Sequence, residues 1–273
     1  MAGKTYYFTT SGPLYNWQLI NGQYYYFKAD GSMAVDWVFI DGSWKYFNAN
    51  GVYTGQERLH EEGIDLSAHN GAVDFVALKN QGLSFVMLKA VGSNSAGLYI
   101  DPTFEQSVYS AAAAGFKIGA YIYSYAFNNQ EMIQEIQFLL NSPAMQRIQA
   151  RGIKFDYPIV IDQEDPLVLA NTTRAQRTEI LVAGCEYLKS QGWYPAIYMS
   201  KSWAYQQVDP LALMQYDVWI AQWGSACTYT YPNLTMWQYT NEGRKNGVNG
   251  RVDLNYSYKD YATLIRNNHW NKY

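Results

Sequence analysis

Residues 157–166 read YPIVIDQEDP, a short apolar run that ends on Asp162 and Glu164, with Asp165 and a proline directly behind. A strand alternates its faces, so positions 162 and 164 share one side while 163 and 165 take the other. Two carboxylates on one face where a strand stops suit acid–base chemistry. One holds a proton to give, and the other carries charge or activates a nucleophile. The bland alternative is a turn that happens to be rich in Asp and Glu. Strand geometry sets the two backbone positions roughly 7 Å apart. Flexible side chains then cover both the short carboxylate separation of a double displacement and the longer one of a single displacement.

Such a pair needs a frame. Short β-branched or apolar runs recur at GIDLS (63–67), SFVMLKA (84–90), KIGAYIYSYA (117–126), YPIVIDQE (157–164) and YPAIYMS (194–200). Helix-like stretches lie between them, including 104–115, 130–140 and 173–192. The last opens on Thr173 and Gln176 at capping-box spacing and closes on Gly192 after Lys189. This alternation argues for parallel strands joined by right-handed crossovers. Three more strand-like runs, DVWIAQW (217–223), TMWQYT (235–240) and RVDLN (251–255), leave little room for helices. The expected fold is α/β: an irregular barrel of five βα units followed by three bare strands, over residues 60–273.

Working groups in parallel barrels sit at the C-terminal strand ends. Asp65, Asp162, Glu164 and Asp253 all fall at or near the ends of these runs, and the first and last strands of a closed barrel are neighbours. Clustered carboxylates repel, so at least one is expected to stay protonated near neutrality. That is the requirement of glycoside hydrolysis. Tyr123, Tyr198, Trp223, Trp237 and Tyr239, with Trp219, lie in or beside strand ends and would offer sugars stacking surfaces; core packing is the alternative for each, and the better one for Trp219 and Trp237.

The totals exclude other classes. The chain has 273 residues, 48% hydrophobic and 16% charged, with a formal net charge of −3. It can bury a sizeable core, and it carries no basic run of the kind that marks nucleic-acid binding. No apolar stretch approaches the roughly 20 residues of a membrane helix. The N-terminus, MAGKTYYFTTSG, shows no apolar signal-peptide core, so export uses another route or the chain is trimmed. Cys185 and Cys227 are far apart, His60, His69 and His269 are scattered, and neither a metal site nor a cofactor is expected. A disulfide is neither required nor excluded.

The first 54 residues hold 15 aromatics, about 28%, and this shift in composition places a boundary near residue 55. YNWQLINGQYYYFKADGSMA (15–34) aligns with VDWVFIDGSWKYFNANGVYT (35–54) at a period of 20, and GKTYYFTTSG (3–12) is a partial earlier copy. Each full copy reads as a hairpin turning at Asn21-Gly22 or Asp41-Gly42. A lone hairpin cannot bury its own apolar face, so neighbours must stack on it. Residues 1–55 are therefore expected to form a small all-β hairpin-repeat module.

These repeats resemble choline-binding cell-wall repeats, a Trp followed by Asn/Asp-Gly-x-Trp-Tyr-Tyr-Phe and Gly, with Thr5 and Tyr24 standing where that pattern has Trp. The resemblance implies aromatic cages that hold choline on teichoic acid by cation–π attraction, or glucan stacking in related repeats, with Trp17, Tyr24, Trp37 and Trp44 at cage-like positions. From Gly63 to Ile265 the chain resembles glycoside hydrolase family 25, through GIDLSAHNG, GAYIYSYA, VIDQE, AIYMS, WIAQW, MWQYT and VDLN in order. That resemblance implies a flattened, TIM-like (β/α)5(β)3 barrel and an N-acetylmuramidase acting on peptidoglycan glycan strands. Glu164 matches the general acid, Asp162 its stabilising or acetamido-assisting partner, and Asp65 and Asp253 the flanking acids. Such an enzyme works outside the cell or in the wall, as a secreted bacterial protein or a phage endolysin. A chitinase-like hydrolase would need Asp-x-x-Asp-x-Asp-x-Glu, whereas position 160 is Val. A non-catalytic wall-binding relative would be expected to lose Glu164, which is present.

Overall fold

The structure is a computed structural model that describes residues 5–10, 12–41, 43–58 and 60–273, apart from the side chains of Trp37 and Phe39. The chain divides into two compact units, Met1–Glu61 and Glu62–Tyr273.

The first unit holds strands β1 (Phe8–Thr9), β2 (Gly12–Pro13), β3 (Asn16–Ile20), β4 (Gln23–Phe27), β5 (Asp36–Ile40), β6 (Ser43–Phe47) and β7 (Tyr53–Arg58). β3 pairs antiparallel with β4 and β5 with β6, in registers offset by 20 residues: Trp17 faces Tyr26 as Trp37 faces Tyr46. Asn21 and Gly22 both take positive φ, 51° and 80°, as a two-residue type I′ turn demands. Trp17 is the hub of an aromatic cluster, with its ring centroid 5.2 Å from Tyr53, 5.5 Å from Tyr26 and 5.7 Å from Phe47. Tyr24 is exposed, whereas Trp44 is buried at 2% exposure. Trp44 is therefore packed in β6 rather than presented to solvent, a correction to its cage-like placement. The Trp37 side chain lies outside the described residues.

The second unit is a mixed α/β fold built on an eight-strand barrel. Its strands are β8 (Glu61–Leu66), β9 (Phe85–Asn94), β11 (Lys117–Tyr123), β12 (Ile159–Asp162), β13 (Pro195–Ser200), β14 (Asp217–Ala221), β15 (Leu234–Gly243) and β16 (Val252–Ser257). They pair in that order, and β16 returns to β8 to close the ring. Neighbours from β8 to β15 run parallel, and β16 runs antiparallel to β15. A further strand, β10 (Gly97–Ile100), hangs on β9 as a hairpin outside the ring.

The helices are α1 (Phe75–Asn80), α2 (Phe104–Ala113), α3 (Asn129–Leu140), α4 (Pro143–Ala150), α5 (Pro166–Asn171), α6 (Arg174–Ser190), α7 (Lys201–Gln206) and α8 (Tyr261–Asn267). They follow the first five barrel strands, with α8 after the last, and none separates β14, β15 and β16. α6 starts on the capping box visible in the sequence, with the Thr173 hydroxyl accepting from Gln176 N and the Gln176 side chain accepting from Thr173 N.

Two-residue alternation sorts the core. Ile64, Leu66, Val86, Leu88, Ile161 and Ile197 point outward and join helix residues such as Val108, Ile136 and Leu181 in one buried layer. Phe85, Met87, Val160, Ala196, Trp219 and Met236 point inward and fill the barrel, with Tyr261 and Ile265 of α8 packed against them. Phe85 stacks on Tyr157 at 4.5 Å. Gly63 is what lets that stack sit against β8, because a Cβ there would lie 2.5 Å from the Phe85 ring.

Candidate active site

The same alternation builds the site. Asp65 follows Gly63 on the inward face of β8, Lys89 follows Phe85 and Met87 on β9, and Tyr121 and Tyr123 follow Gly119 on β11. Asp162 follows Val160, Tyr198 follows Ala196, and Gln238 follows Met236. One layer above the apolar filling, the barrel lining thus turns polar and titratable. These side chains, with Glu164, Trp219, Arg251 and Asp253, line one cleft of about 510 Å³.

The four acids named from the sequence all meet there, two of them by routes the pattern did not give. β12 stops at Asp162, so Glu164 stands on the loop beyond it, half-buried, while Gln163 is buried at 1% exposure. Asp253 lies at the N-terminal start of β16, not at a C-terminal end. It reaches the mouth because β16 runs antiparallel, which puts its beginning level with the ends of its parallel neighbours. Asp165 caps α5, its carboxylate accepting from Leu167 N at 2.8 Å, and Tyr123 OH donates to it at 3.3 Å.

Among the aromatics, Tyr123 and Tyr198 line the cleft, and so does Trp219, which also packs the barrel interior. Trp237 and Tyr239 do not. They sit on the outward face of β15, where Tyr239 stacks on Tyr256 at 4.2 Å and donates to Glu62 at 2.7 Å. The residue between them, Gln238, faces the acids. Trp223 is 58% exposed beside the cleft, and its indole N–H donates to Gln238 Oε1 at 3.1 Å.

Gln238 and Asn255, not singled out in the sequence, organise the pair on β8 and β16. Asn255 Nδ2 donates to Asp65 Oδ2 at 2.8 Å, and Gln238 Nε2 donates to Asp65 at 3.1 Å and to Asp253 at 3.4 Å. Trp219 Nε1 fixes Asn255 at 2.9 Å, and Tyr198 OH fixes Gln238 at 3.1 Å. The signal was there: each is a polar residue inside a strand at the parity that faces inward. Burial, and then the neighbouring charge of Asp253, push the Asp65 carboxyl up to about 8. Asp65 and Asp253 share the Gln238 amide donor and stand side by side, so near neutrality Asp65 holds its proton beside Asp253.

Across the cleft, burial and then the charge of Glu164 hold Asp162 well above the usual carboxylate range, while the Lys89 ammonium pulls the other way. Burial, with Asp253 and Asp165 behind it, raises Glu164 as well. Two buried like charges at neighbouring positions do not both form readily, so the 162/164 pair keeps a proton near neutrality. The cleft therefore holds two pairs of carboxyls, each with at least one member raised, beside tyrosine and tryptophan rings. Such an arrangement can both give and take up a proton within one cleft.

Among the described residues, no group of three His, Cys, Asp or Glu side chains is arranged to hold a metal ion. Cys185 and Cys227 are free thiols. No helix of the described residues is long and apolar enough to cross a membrane.

Comparison with known proteins places both units of the chain among known families. A choline-binding repeat model matches residues 14–53. Lysozyme M1 of Streptomyces globisporus is 29% identical over 210 residues, covering 75% of this chain and 70% of that protein. A family 25 glycosyl hydrolase structure from Bacillus anthracis is 25% identical with a TM-score of 0.60, covering 77% of this chain and 93% of that one. The modular autolysin LytC from Streptococcus pneumoniae, solved with a synthetic peptidoglycan ligand, shares the fold at 19% identity and a TM-score of 0.62, over 92% of this chain and 69% of that one. The model of glycosyl hydrolases family 25 matches residues 64–248, which takes in Asp65, Asp162 and Glu164 and stops just short of Asp253. With more than half of its length under that model and a carboxyl-lined barrel mouth beneath it, the chain belongs to glycosyl hydrolase family 25 and is a glycoside hydrolase of the lysozyme kind.

Proposed function

We propose that the protein hydrolyses peptidoglycan at the β-1,4 bond between N-acetylmuramic acid and N-acetylglucosamine, and that its N-terminal repeats bring it to the wall. The observation that carries the first part is the convergence of Asp162 and Glu164 on one half-closed cleft with both carboxyls raised. Glu164, the more accessible of the two, gives its proton to the glycosidic oxygen. Asp162, in its ionised form, stabilises the positive charge that develops at the anomeric carbon. The Asp65–Asp253 pair forms the opposite wall, with Gln238 and Asn255 holding its geometry. Tyr123, Tyr198 and Trp219 give the sugar ring apolar faces.

Product analysis tests the bond assignment. Digestion of purified glycan strands, followed by borohydride reduction and mass spectrometry, is expected to show new reducing ends on muramic acid. New ends on glucosamine would replace this reading with a glucosaminidase.

For the repeats, Trp17 and Tyr24 offer the most direct surface, an edge-to-face pair 6.4 Å apart with Tyr24 exposed. Cation–π attraction at such rings suits choline on teichoic acid. Tethering to an insoluble polymer raises the local concentration of the hydrolase without new contacts to the scissile bond. Trp17→Ala is expected to weaken adsorption to choline-bearing walls several-fold, and free choline should compete with the wild type. Adsorption indifferent to both would assign the repeats another wall glycan or none.

A further inference from the structure

The mechanism leaves one charged group without a task. Lys89 is the only charge in the β9 run Phe85–Ala90, at a position where Phe85 and Met87 before it face the barrel interior. It lines the cleft, half-buried, and its Nζ lies 4.8 Å from the centre of the Tyr123 ring. No hydrogen bond or ion pair joins it to another described residue. On the same cleft, the buried Oδ1 of Asp162 has no hydrogen-bond partner among the described residues. The other flexible cation there, Arg251, is turned to Glu242 at 2.9 Å. A half-buried ammonium without a counter-ion is costly, and so is a buried carboxylate oxygen without a donor. Both line one cleft, and the Lys89 charge acts on Asp162 through space.

We propose that Lys89 is a positioning residue that decides which member of the Asp162–Glu164 pair carries the negative charge, placing it on Asp162 and leaving the proton on Glu164. The inference rests on the reading of that pair as the acid–base apparatus. Burial alone argues for the opposite distribution, because Asp162 is the more deeply buried of the two and burial favours its neutral form. The groups that face Asp162 are Asp65 from β8, Lys89 from β9, Tyr121 and Tyr123 from β11, Tyr125 just beyond it, Glu164 on its own loop and Tyr198 from β13. Two are acids that repel the charge and four are phenols that stay neutral. Lys89 is the one cation in the set, and so the one group able to draw charge onto Asp162. Tyr123 fixes it from below: its ring supports the lysine, and its hydroxyl is anchored on Asp165.

The test is the pH profile of kcat/KM on soluble peptidoglycan fragments for the wild type, Lys89→Met, Lys89→Arg and Glu164→Gln. Methionine keeps the length and apolar stem of lysine without its charge. Lys89→Met is expected to lower the maximum about 10- to 100-fold and to move both limbs of the bell to higher pH by about 1 pH unit, since both ionisations of the pair lose a favourable charge. Lys89→Arg should keep both limbs in place. A 13C titration of the Asp162 carboxyl in the Glu164→Gln background gives a readout free of turnover, with Lys89→Met expected to shift it upward.

Equal losses in Lys89→Met and Lys89→Arg at every pH, or an unmoved bell and an unmoved Asp162 titration, would overturn the inference. Wild-type turnover in Glu164→Gln would instead overturn the assignment of the pair. An inactive Glu164→Gln beside an unshifted Lys89→Met removes only the role of Lys89.

Discussion

Glu164→Gln should lower kcat on peptidoglycan about 10²- to 10⁴-fold, the usual worth of a general acid. The amide keeps the size of the side chain and removes only the proton that leaves with the glycosidic oxygen. Burial and neighbouring carboxylates raise the Glu164 carboxyl, so its charged form is the disfavoured one in the folded state. Neutral glutamine therefore costs no stability, and the thermal midpoint of the variant should equal or exceed that of the wild type. Clearing of a wall suspension, compared at equal concentrations of folded protein, measures the effect. The raised carboxyl also fixes a sign for the wild type. As the proposed acid, Glu164 acts in its protonated form, so activity should fall as pH rises through its elevated ionisation range. A variant that clears walls as fast as the wild type would dismiss Glu164 as the acid.

Asp65→Asn is expected to act in opposite directions on stability and turnover. The Asp65 carboxyl sits at about 8 in the folded protein against an ordinary 3.8, so the folded state binds this proton more tightly than the unfolded chain does. Its contribution to stability is complete below about pH 4 and is lost progressively as pH rises toward about 8. Asparagine reproduces the protonated acid. Its Oδ1 can take the donors of Asn255 and Gln238, and its amide N–H can face Asp253. The variant should therefore match the wild type near pH 4 and exceed it by a few kcal/mol near pH 8, since each tenfold gain in proton affinity on folding is worth about 1.4 kcal/mol. Urea midpoints across that range read the difference; a gap that does not change with pH would contradict it. Turnover should fall, because only Asp253 then remains to carry charge on that wall of the cleft. Active sites commonly hold such a conflict between stability and chemistry.

What could be read in advance divides along physical lines. The order of the barrel strands is visible because each is a compact apolar run between turns, and α6 because its cap is written locally in Thr173 and Gln176. β10 escapes notice because its four residues have only β9 for a partner. α4 and α5 escape it although each opens with a local mark, Ser142-Pro143 and Asp165-Pro166, a cap followed by proline at the first helical position. In the sequence Asp165 passes for one more acid in a turn. The acids themselves are legible from type and placement, but the rule of C-terminal strand ends does not account for Asp253, whose placement depends on β16 reversing direction. Trp237 and Tyr239 draw notice as aromatics, while alternation along β15 gives the cleft to Gln238 between them. Hydrogen bonds such as that from Asn255 to Asp65 join the two ends of the barrel sequence, and no local pattern announces a pairing of that range.

That long-range pairing has a temporal consequence. The strand that seals the ring, β16, also delivers Asp253, and it is the last barrel strand to be synthesised. A nascent chain with β16 still inside the ribosome has an open edge on β8, no counterpart for Asp65, and no α8 to plug the interior. Ring closure and the assembly of the acid cluster are thus one event, which waits for the final strand to emerge from the exit tunnel.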